Sequence, residues 1–187
     1  MIVFVDEAGF SMVPCLKATW APAGRTPVVR HRNRWHRKVS VIGALAVEPD
    51  GSSMQLLSDW HPDRHVTQDE VAAFLGRLLG QFPKRRIVLI WDKLQAHRGA
   101  AVKRFVARHA RLEVHFLPSY APDLNPVEPV WCLSKHHRMA NHGIDDLDEL
   151  CREAKRQVNR VADEQQLLRA CVAHAGLLEA LYQVSAQ

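Results

Sequence analysis

The chain has 187 residues, of which 47% are hydrophobic and 24% charged, so it is long and apolar enough to bury the core of one domain. Its formal net charge of +5 at pH 7 suits a polyanionic partner such as nucleic acid. No apolar run approaches the roughly 20 residues that cross a bilayer, and we expect a soluble cytosolic protein with no membrane partner.

The first six residues, MIVFVD, form an apolar run that predicts a buried strand ending at Asp6. Glu7, Ala8 and Gly9 are expected to turn the chain away from the sheet. Open α/β sheets place their chemistry at the carboxyl ends of such strands, which makes Asp6 a candidate site residue. A capping or turn aspartate is the alternative interpretation of this position.

A basic stretch lies between residues 30 and 38, within a loop-like segment. Its five cationic side chains are Arg30, Arg32, Arg34, Arg37 and Lys38. The first three alternate along the chain, so an extended backbone presents these alternating arginines on one side, where they match the spacing of phosphates. We predict that the stretch binds nucleic acid; a solvated charged loop is the alternative.

Two strands and a helix are predicted next. Residues 39–47 and 53–57 are strand candidates joined by a Pro-Asp-Gly turn, and with the first strand they predict an antiparallel three-stranded start. Thr67 and Glu70 have the spacing of a capping box, so we expect a helix that begins at Thr67 and ends at Gly80.

A second apolar run, IVLIWD at residues 87–92, also ends on an aspartate. If the two strands are parallel neighbours, Asp6 and Asp92 lie side by side at one edge of the sheet. Two carboxylates at such a short separation repel each other, and both are costly to desolvate. A bound divalent cation removes this conflict, and Mg²⁺ suits the position because it prefers oxygen ligands.

His97 follows Asp92 by five residues and is expected to open a helix that runs to about residue 110. Its position just past a candidate site carboxylate makes it a candidate functional residue. A strand is predicted over residues 112–117, where apolar and polar side chains alternate.

A third carboxylate, Glu128, lies in the segment PSYAPDLNPVEPVW at residues 118–131. Asn125 is a good N-cap and Pro126 suits the first helical position, which places Glu128 at the third. Glu128 then either accepts a hydrogen bond from the Asn125 amide, as in a capping box, or joins the two aspartates as a metal ligand.

The remainder of the chain is predicted to be helical, with two amphipathic helices that start within residues 146–149 and 163–166. We expect residues 1–187 to form a single domain in which about 144–187 is a C-terminal helical extension. The four cysteines form no C-x-x-C pair, which argues against a disulfide framework or a zinc knuckle.

These motifs together resemble the DDE transposases of the mariner-like superfamily, and within it the bacterial insertion sequence 630 branch. The resemblance is carried by VDEAGF around Asp6, WDKLQAH around Asp92, LPSYAPDLNPVEPVW around Glu128, and the 35 residues between the last two carboxylates. It implies a ribonuclease H-like α/β fold: a mixed five-stranded sheet flanked by helices, with the first and fourth strands adjacent and parallel, and C-terminal helices.

The resemblance also implies a two-metal mechanism in which Asp6, Asp92 and Glu128 hold Mg²⁺, for which Mn²⁺ can substitute. One ion would activate water, or later a DNA 3′-hydroxyl, and the other would stabilise the leaving oxygen. The enzyme would thereby cleave DNA at the ends of an element and join them to a target. His97 matches a histidine that the family carries after its second aspartate, which would lie near the scissile phosphate.

Two features depart from the family's pattern. The family usually has asparagine where this sequence has Lys93, which would either contact phosphate or compete electrostatically with the metal. The sequence begins at the first catalytic strand, so we expect the family's N-terminal helix-turn-helix region to be absent and either supplied by a separately encoded protein or lost by truncation. The expected partners are double-stranded DNA and a second copy of the chain, at the nucleoid of a bacterial cytoplasm.

Two other functions stay open at this point. One is a ribonuclease H-like nuclease of another kind, which cuts DNA without joining strands. The other is a non-catalytic DNA-binding remnant of a transposase that keeps the fold and the basic stretch.

Overall fold

The computed structural model describes residues 1–29 and 37–177, so the alternating arginines lie outside the described residues. Within that part of the chain, five strands form one mixed sheet in the order β3-β2-β1-β4-β5. They are β1 (Ile2–Ser11), β2 (Lys38–Val47), β3 (Met54–Pro62), β4 (Ile87–Trp91) and β5 (Leu112–Phe116). Strands β1, β2 and β3 pair antiparallel, whereas β4 is parallel to both β1 and β5. The mixed five-stranded sheet expected from the sequence is confirmed.

The helices begin where the sequence supplies caps. Thr67 and Glu70 form the predicted capping box, and the Asp146 carboxylate accepts a hydrogen bond from the Glu149 amide at 3.1 Å. The α-helices are α1 (Gln68–Gln81), α2 (Ala100–Ala107), α3 (Glu128–Cys132), α4 (Leu147–Ala162) and α5 (Gln165–His174). Shorter elements are 3₁₀ turns at Ala96–Arg98 and Pro122–Leu124 and a π-helix at Leu133–Arg138. Among the described residues, no helix is long and apolar enough to cross a membrane.

Strand β1 is longer than the sequence predicts. Glu7, Ala8 and Gly9 do not turn the chain away, because the whole strand pairs with β2 as far as Ser11. The ladder hydrogen bonds of this long antiparallel pair outweigh the local turn preference of glycine. Asp6 therefore lies in the middle of β1 rather than at its end.

Each face of the sheet carries its own helical layer, because side chains alternate between the faces along a strand. Val3 and Val5 of β1 belong to a buried cluster with residues of α1 and α2. Phe4 and Phe10 belong to a second cluster with residues of α3, α4 and α5. Consecutive residues of β1 therefore pack against different helical layers, and this alternation determines the face of the sheet on which each site residue lies.

Candidate active site

Asp6 and Asp92 meet at one edge of the sheet because of the register between β1 and β4. The last paired residues of this parallel ladder are Phe4 and Ile90. Asp6 lies two residues after Phe4, and Asp92 lies two residues after Ile90. Two residues is the side-chain period of a strand, so both carboxylates continue on the same face. Together with Glu128 they line a cleft of about 530 Å³, here called the carboxylate cleft.

Glu128 reaches the carboxylate cleft because its own turn does not need it as a cap. The Asn125 amide donates to the Pro122 carbonyl at 2.8 Å, so the capping box, one of the two alternatives for Glu128, does not form. Helix α3 begins at Glu128, with Val127 rather than the predicted Asn125 as its N-cap. Instead, the Asn125 side chain accepts from the Val127 amide at 3.2 Å and donates to the Val5 carbonyl at 3.4 Å. Asn125 thus ties the start of α3 to β1, and Glu128 remains available to the cleft.

Trp131 holds the Asp6 carboxylate from the α3 side of the sheet. Its indole N–H donates to Asp6 Oδ2 at 2.9 Å, and both residues are buried. Gly43, the residue opposite Asp6 on β2, makes this contact possible: a Cβ at Gly43 would lie 2.5 Å from Trp131 Cη2. The sequence of β2 is therefore matched to the aromatic ring that holds Asp6.

The carboxylate cleft carries excess negative charge. Burial raises the pKa of Asp6 to about 8, and the nearby charges of Glu128, Glu7 and Asp92 add to the increase. Burial also raises the pKa of Glu128, against the opposing effect of Lys135. Burial lowers the pKa of the Lys135 ammonium, although Glu128 and Asp6 favour its charged form. One half-buried lysine, coupled to Glu128 and Asp6, therefore compensates the carboxylates of the cleft only in part.

His97 lies behind the site rather than in it. Its side chain is 0% exposed and its ring stacks on Trp91 with centroids 4.2 Å apart. Nε2 lies 2.7 Å from Glu7 Oε1, and Nδ1 lies 2.8 Å from Asp92 Oδ1. Burial alone would lower the pKa of His97, but the hydrogen bond and charge of Glu7, with Asp92, raise it. Both ring nitrogens of His97 therefore already have partners in this buried position, next to Asp92.

Residues 1–151 match the sequence model of the DDE superfamily endonucleases. The chain belongs to this family. The match includes the segments that contribute Asp6, Asp92 and Glu128 to the carboxylate cleft. No curated protein matches the chain.

Solved structures of the Mos1 transposase share the fold of this DDE endonuclease chain. The Mos1 paired-end complex with the left transposon end is 20% identical with a TM-score of 0.66, over 98% of this chain and 55% of the Mos1 chain. The Mos1 mariner paired-end complex with Mn is 21% identical, with the same TM-score and coverage. The Mos1 catalytic domain with Raltegravir and Mg is 18% identical with a TM-score of 0.60, over 100% of this chain and 84% of that chain. The chain thus spans about half the length of the Mos1 chain in the paired-end complexes, and the expected ribonuclease H-like fold is confirmed.

The carboxylate cleft of this DDE endonuclease fits a divalent metal ion in its donor chemistry. All three side chains offer carboxylate oxygens, which Mg²⁺ and Mn²⁺ accept, and a cation there would stabilise the ionised form of Asp6. Asp6 and Asp92 each bond a ring nitrogen through one oxygen. Among residues 1–29 and 37–177, no group of three or more His, Cys, Asp or Glu side chains is arranged to hold an ion. The three carboxylates therefore share a cleft without forming a closed coordination shell.

The described part of the basic stretch is only partly available for a nucleic acid. The Arg37 guanidinium makes a surface ion pair with Asp63 at 3.1 Å, and Lys38 is half-buried as the first residue of β2. Lys93 is exposed and lines the carboxylate cleft. Of these three residues, Lys93 is therefore the one placed beside the candidate site.

Four residues of the site had no role in the sequence predictions. Trp131 and Lys135 lie three and seven residues after Glu128, a helical spacing that could have placed them on its face. The sequence predicts Glu7 in a turn rather than in the site. Tyr120 lines the cleft fully exposed and has a φ of 59°, a conformation that the Pro-rich sequence around it did not predict.

Proposed function

We propose that this chain is the catalytic domain of a DDE transposase, which cleaves DNA at the ends of an element and joins those ends to a target. The observation that carries the proposal is the convergence of Asp6, Asp92 and Glu128 on one cleft of a ribonuclease H-like fold, in a chain that belongs to the DDE endonucleases. The Mos1 structures include complexes with a transposon end, with Mn and with Mg, which supports DNA as the substrate and a divalent metal as the cofactor.

In this proposal Asp6, Asp92 and Glu128 hold Mg²⁺, and Mn²⁺ can replace it. The bound metal supplies activation of the attacking hydroxyl and stabilisation of the leaving oxygen at phosphorus. Trp131 fixes one oxygen of Asp6 and His97 fixes one oxygen of Asp92, which limits the rotation of both carboxylates. The remaining oxygens are then oriented before the metal arrives, and that lowers the cost of binding it.

In the same proposal, the DNA backbone lies along the basic side chains. Lys93 contacts a phosphate beside the carboxylate cleft, because it is exposed at the lip of that cleft. The alternating arginines, with Arg37 and Lys38, extend the phosphate-binding surface along the backbone of double-stranded DNA. An arginine in a weak surface ion pair can exchange its partner for a phosphate, which applies to Arg37.

The third motif and its distance from Asp92 favour the bacterial insertion sequence 630 type among DDE transposases. We place the protein accordingly in a bacterial cytoplasm, at the nucleoid, acting as a homodimer. Residues 1–177 and the segment after them are proposed to be one catalytic domain with a helical extension from about residue 144. A separately encoded helix-turn-helix protein is proposed as a partner in recognising the element ends.

The test is an assay of metal-dependent cleavage of plasmid DNA and of strand transfer from a duplex with a free 3′-hydroxyl end, neither of which requires recognition of specific element ends. Wild-type protein is expected to cut and join in Mg²⁺, Asp92→Ala to do neither, and Asp148→Ala, which changes an exposed aspartate on α4, to act as wild type. Cutting without joining would favour a nuclease of another kind. DNA binding without any metal-dependent cutting would favour a non-catalytic remnant and would contradict the proposal.

A further inference from the structure

The reverse face of the sheet carries a pair of side chains directly behind the two aspartates. Asp6 bonds Trp131 of α3, and Asp92 lines the cleft with Glu128. Glu7 alternates with Asp6 along β1, and His97 stacks on Trp91, which belongs to the cluster on the opposite face. Glu7 is half-buried, with 13% of its side chain exposed, and His97 is fully buried. Neither side chain lines the carboxylate cleft. A buried ionisable pair at this position requires a reason, because burying it costs free energy.

The pair spans the place where the backbone ladder stops. Strands β1 and β4 are paired as far as Phe4 and Ile90, so no backbone pair in the described ladder reaches the level of the aspartates. Beyond that point, Glu7 Oε1 contacts His97 Nε2 at 2.7 Å. Side chains thus take over from the backbone in joining β1 to the segment after β4.

His97 also contacts Asp92, and it thereby links Glu7 to that aspartate. Its Nδ1 lies 2.8 Å from Asp92 Oδ1 and 3.2 Å from the Asp92 carbonyl oxygen. The Leu94 amide donates to the same Oδ1 at 2.9 Å. Both the backbone and one carboxylate oxygen of Asp92 are therefore held, although half of its side chain, 51%, is exposed.

We propose that Glu7 is a positioning residue that, through His97, sets the separation and orientation of Asp92 relative to Asp6 for binding of a divalent metal. Glu7 follows Asp6 on β1. The residues of β1 before and after Glu7 are paired with β2, so the position of Glu7 is rigid. His97 is locked by its stack on Trp91 and can transmit that position to Asp92. The inference rests on the proposed metal-binding function of the two aspartates.

A different role for Glu7 would be simple attraction of the cation by a fourth negative charge. The two roles separate in conservative variants, because one depends on reach and the other on charge. Glu7→Gln keeps the length of the side chain and an amide that can either accept from or donate to His97 Nε2, but removes the charge. Glu7→Asp keeps the charge but is one methylene too short to maintain the 2.7 Å contact.

The experiment is calorimetric titration of Mn²⁺ into the DNA-free chain, with a thermal melt of each variant. We expect Glu7→Gln to bind Mn²⁺ within about twofold of wild type and Glu7→Asp to bind about tenfold more weakly, as for other residues that orient metal ligands. Glu113→Ala is the matched control: Glu113 also contacts a histidine, His115, at 2.8 Å, but on the exposed edge strand β5. It is expected to leave the affinity unchanged.

The outcomes separate this inference from the proposed function. A wild type that binds no Mn²⁺ would overturn both. A wild type that binds, with Glu7→Gln weakened and Glu7→Asp unchanged, would assign Glu7 the role of an attracting charge and overturn the inference alone. Lowered melting temperatures with unchanged Mn²⁺ affinity in both variants would show a purely structural pair and also overturn it. Should Glu7→Asp not fold, the affinity of Glu7→Gln decides: near wild type supports the inference, and a loss contradicts it.

Discussion

Replacing Asp6 by asparagine is expected to stabilise the metal-free protein and to remove its response to metal. Asp6 is 7% exposed and lies among other carboxylates, so ionising it in the folded state is costly. Asparagine has nearly the same shape, and its side-chain oxygen can still accept the hydrogen bond from Trp131. The substitution therefore removes a charge while keeping the contact that holds residue 6.

The size of the effect follows from the pKa of Asp6, which is 3.8 ordinarily and about 8 in the folded protein. Between these values the folded state binds more protons than the unfolded state, so the free energy of unfolding falls as pH rises through this window. At pH 7 the accumulated loss is about 4 kcal/mol for wild type and absent for Asp6→Asn. For a domain of this size, that difference corresponds to about 10 °C in melting temperature.

The assay is urea unfolding of wild type and Asp6→Asn in EDTA, from pH 4 to pH 8, repeated in Mg²⁺. The stability gap should be small near pH 4, widen with pH, and narrow again in Mg²⁺ because only wild type gains from the ion. Asp148→Asn, an exposed aspartate on α4, controls for charge removal as such. Equal stability of wild type and Asp6→Asn in EDTA at pH 7, or a gap that does not change with pH, would refute the reasoning.

Three further predictions concern the surroundings of the aspartates. Gly43→Ala is expected to destabilise the protein by about 1–3 kcal/mol in urea unfolding, because the added methyl group would lie 2.5 Å from the Trp131 ring. Gly76→Ala on α1 is the control: its methyl group would have no neighbour closer than 3.8 Å, and it should not destabilise the protein. Lys135→Met is expected to tighten Mn²⁺ binding about fivefold in calorimetry, since it removes a cation that acts on both Asp6 and Glu128; unchanged affinity would contradict this. Replacing the three alternating arginines by alanine should weaken DNA binding and flatten its salt dependence, and an unchanged salt slope would argue against that surface.

The sheet could be predicted from the sequence because its strands have strong local signals. The run at residues 87–91 is the observed β4, and the strand at residues 39–47 is β2 within one residue. The errors arose where pairing overrides local preference. Gly9 reads as part of a turn, yet β1 continues through it because β2 offers a partner for every residue up to Ser11. No property of the first ten residues alone contains that information.

The carboxylates of the site could also be predicted, whereas the groups that hold them could not. Two apolar runs that each lead into an aspartate imply neighbouring carboxylates once the strands are known to be parallel and in register. The contact of Trp131 with Asp6 joins residues 125 positions apart, and that of His97 with Glu7 joins residues 90 positions apart. Such contacts depend on which helix covers which face and at what depth, and these are properties of the packed molecule.

The site is supported from both faces of the sheet, and this explains how two carboxyl groups are kept close. Trp131 anchors Asp6 from the α3 face, and His97 anchors Asp92 from the opposite face. Trp131 binds one oxygen of Asp6, and His97 contacts one oxygen of Asp92. Each contact restricts the rotation of its carboxylate, and the contact from Trp131 does so without neutralising the charge of Asp6. The packing of the core therefore does the work of bringing the carboxylates together, at a cost in the stability of the metal-free protein. A cation that binds between them recovers this cost, and metal affinity should then depend on the rigidity of the two anchors as well as on the charge around the cleft.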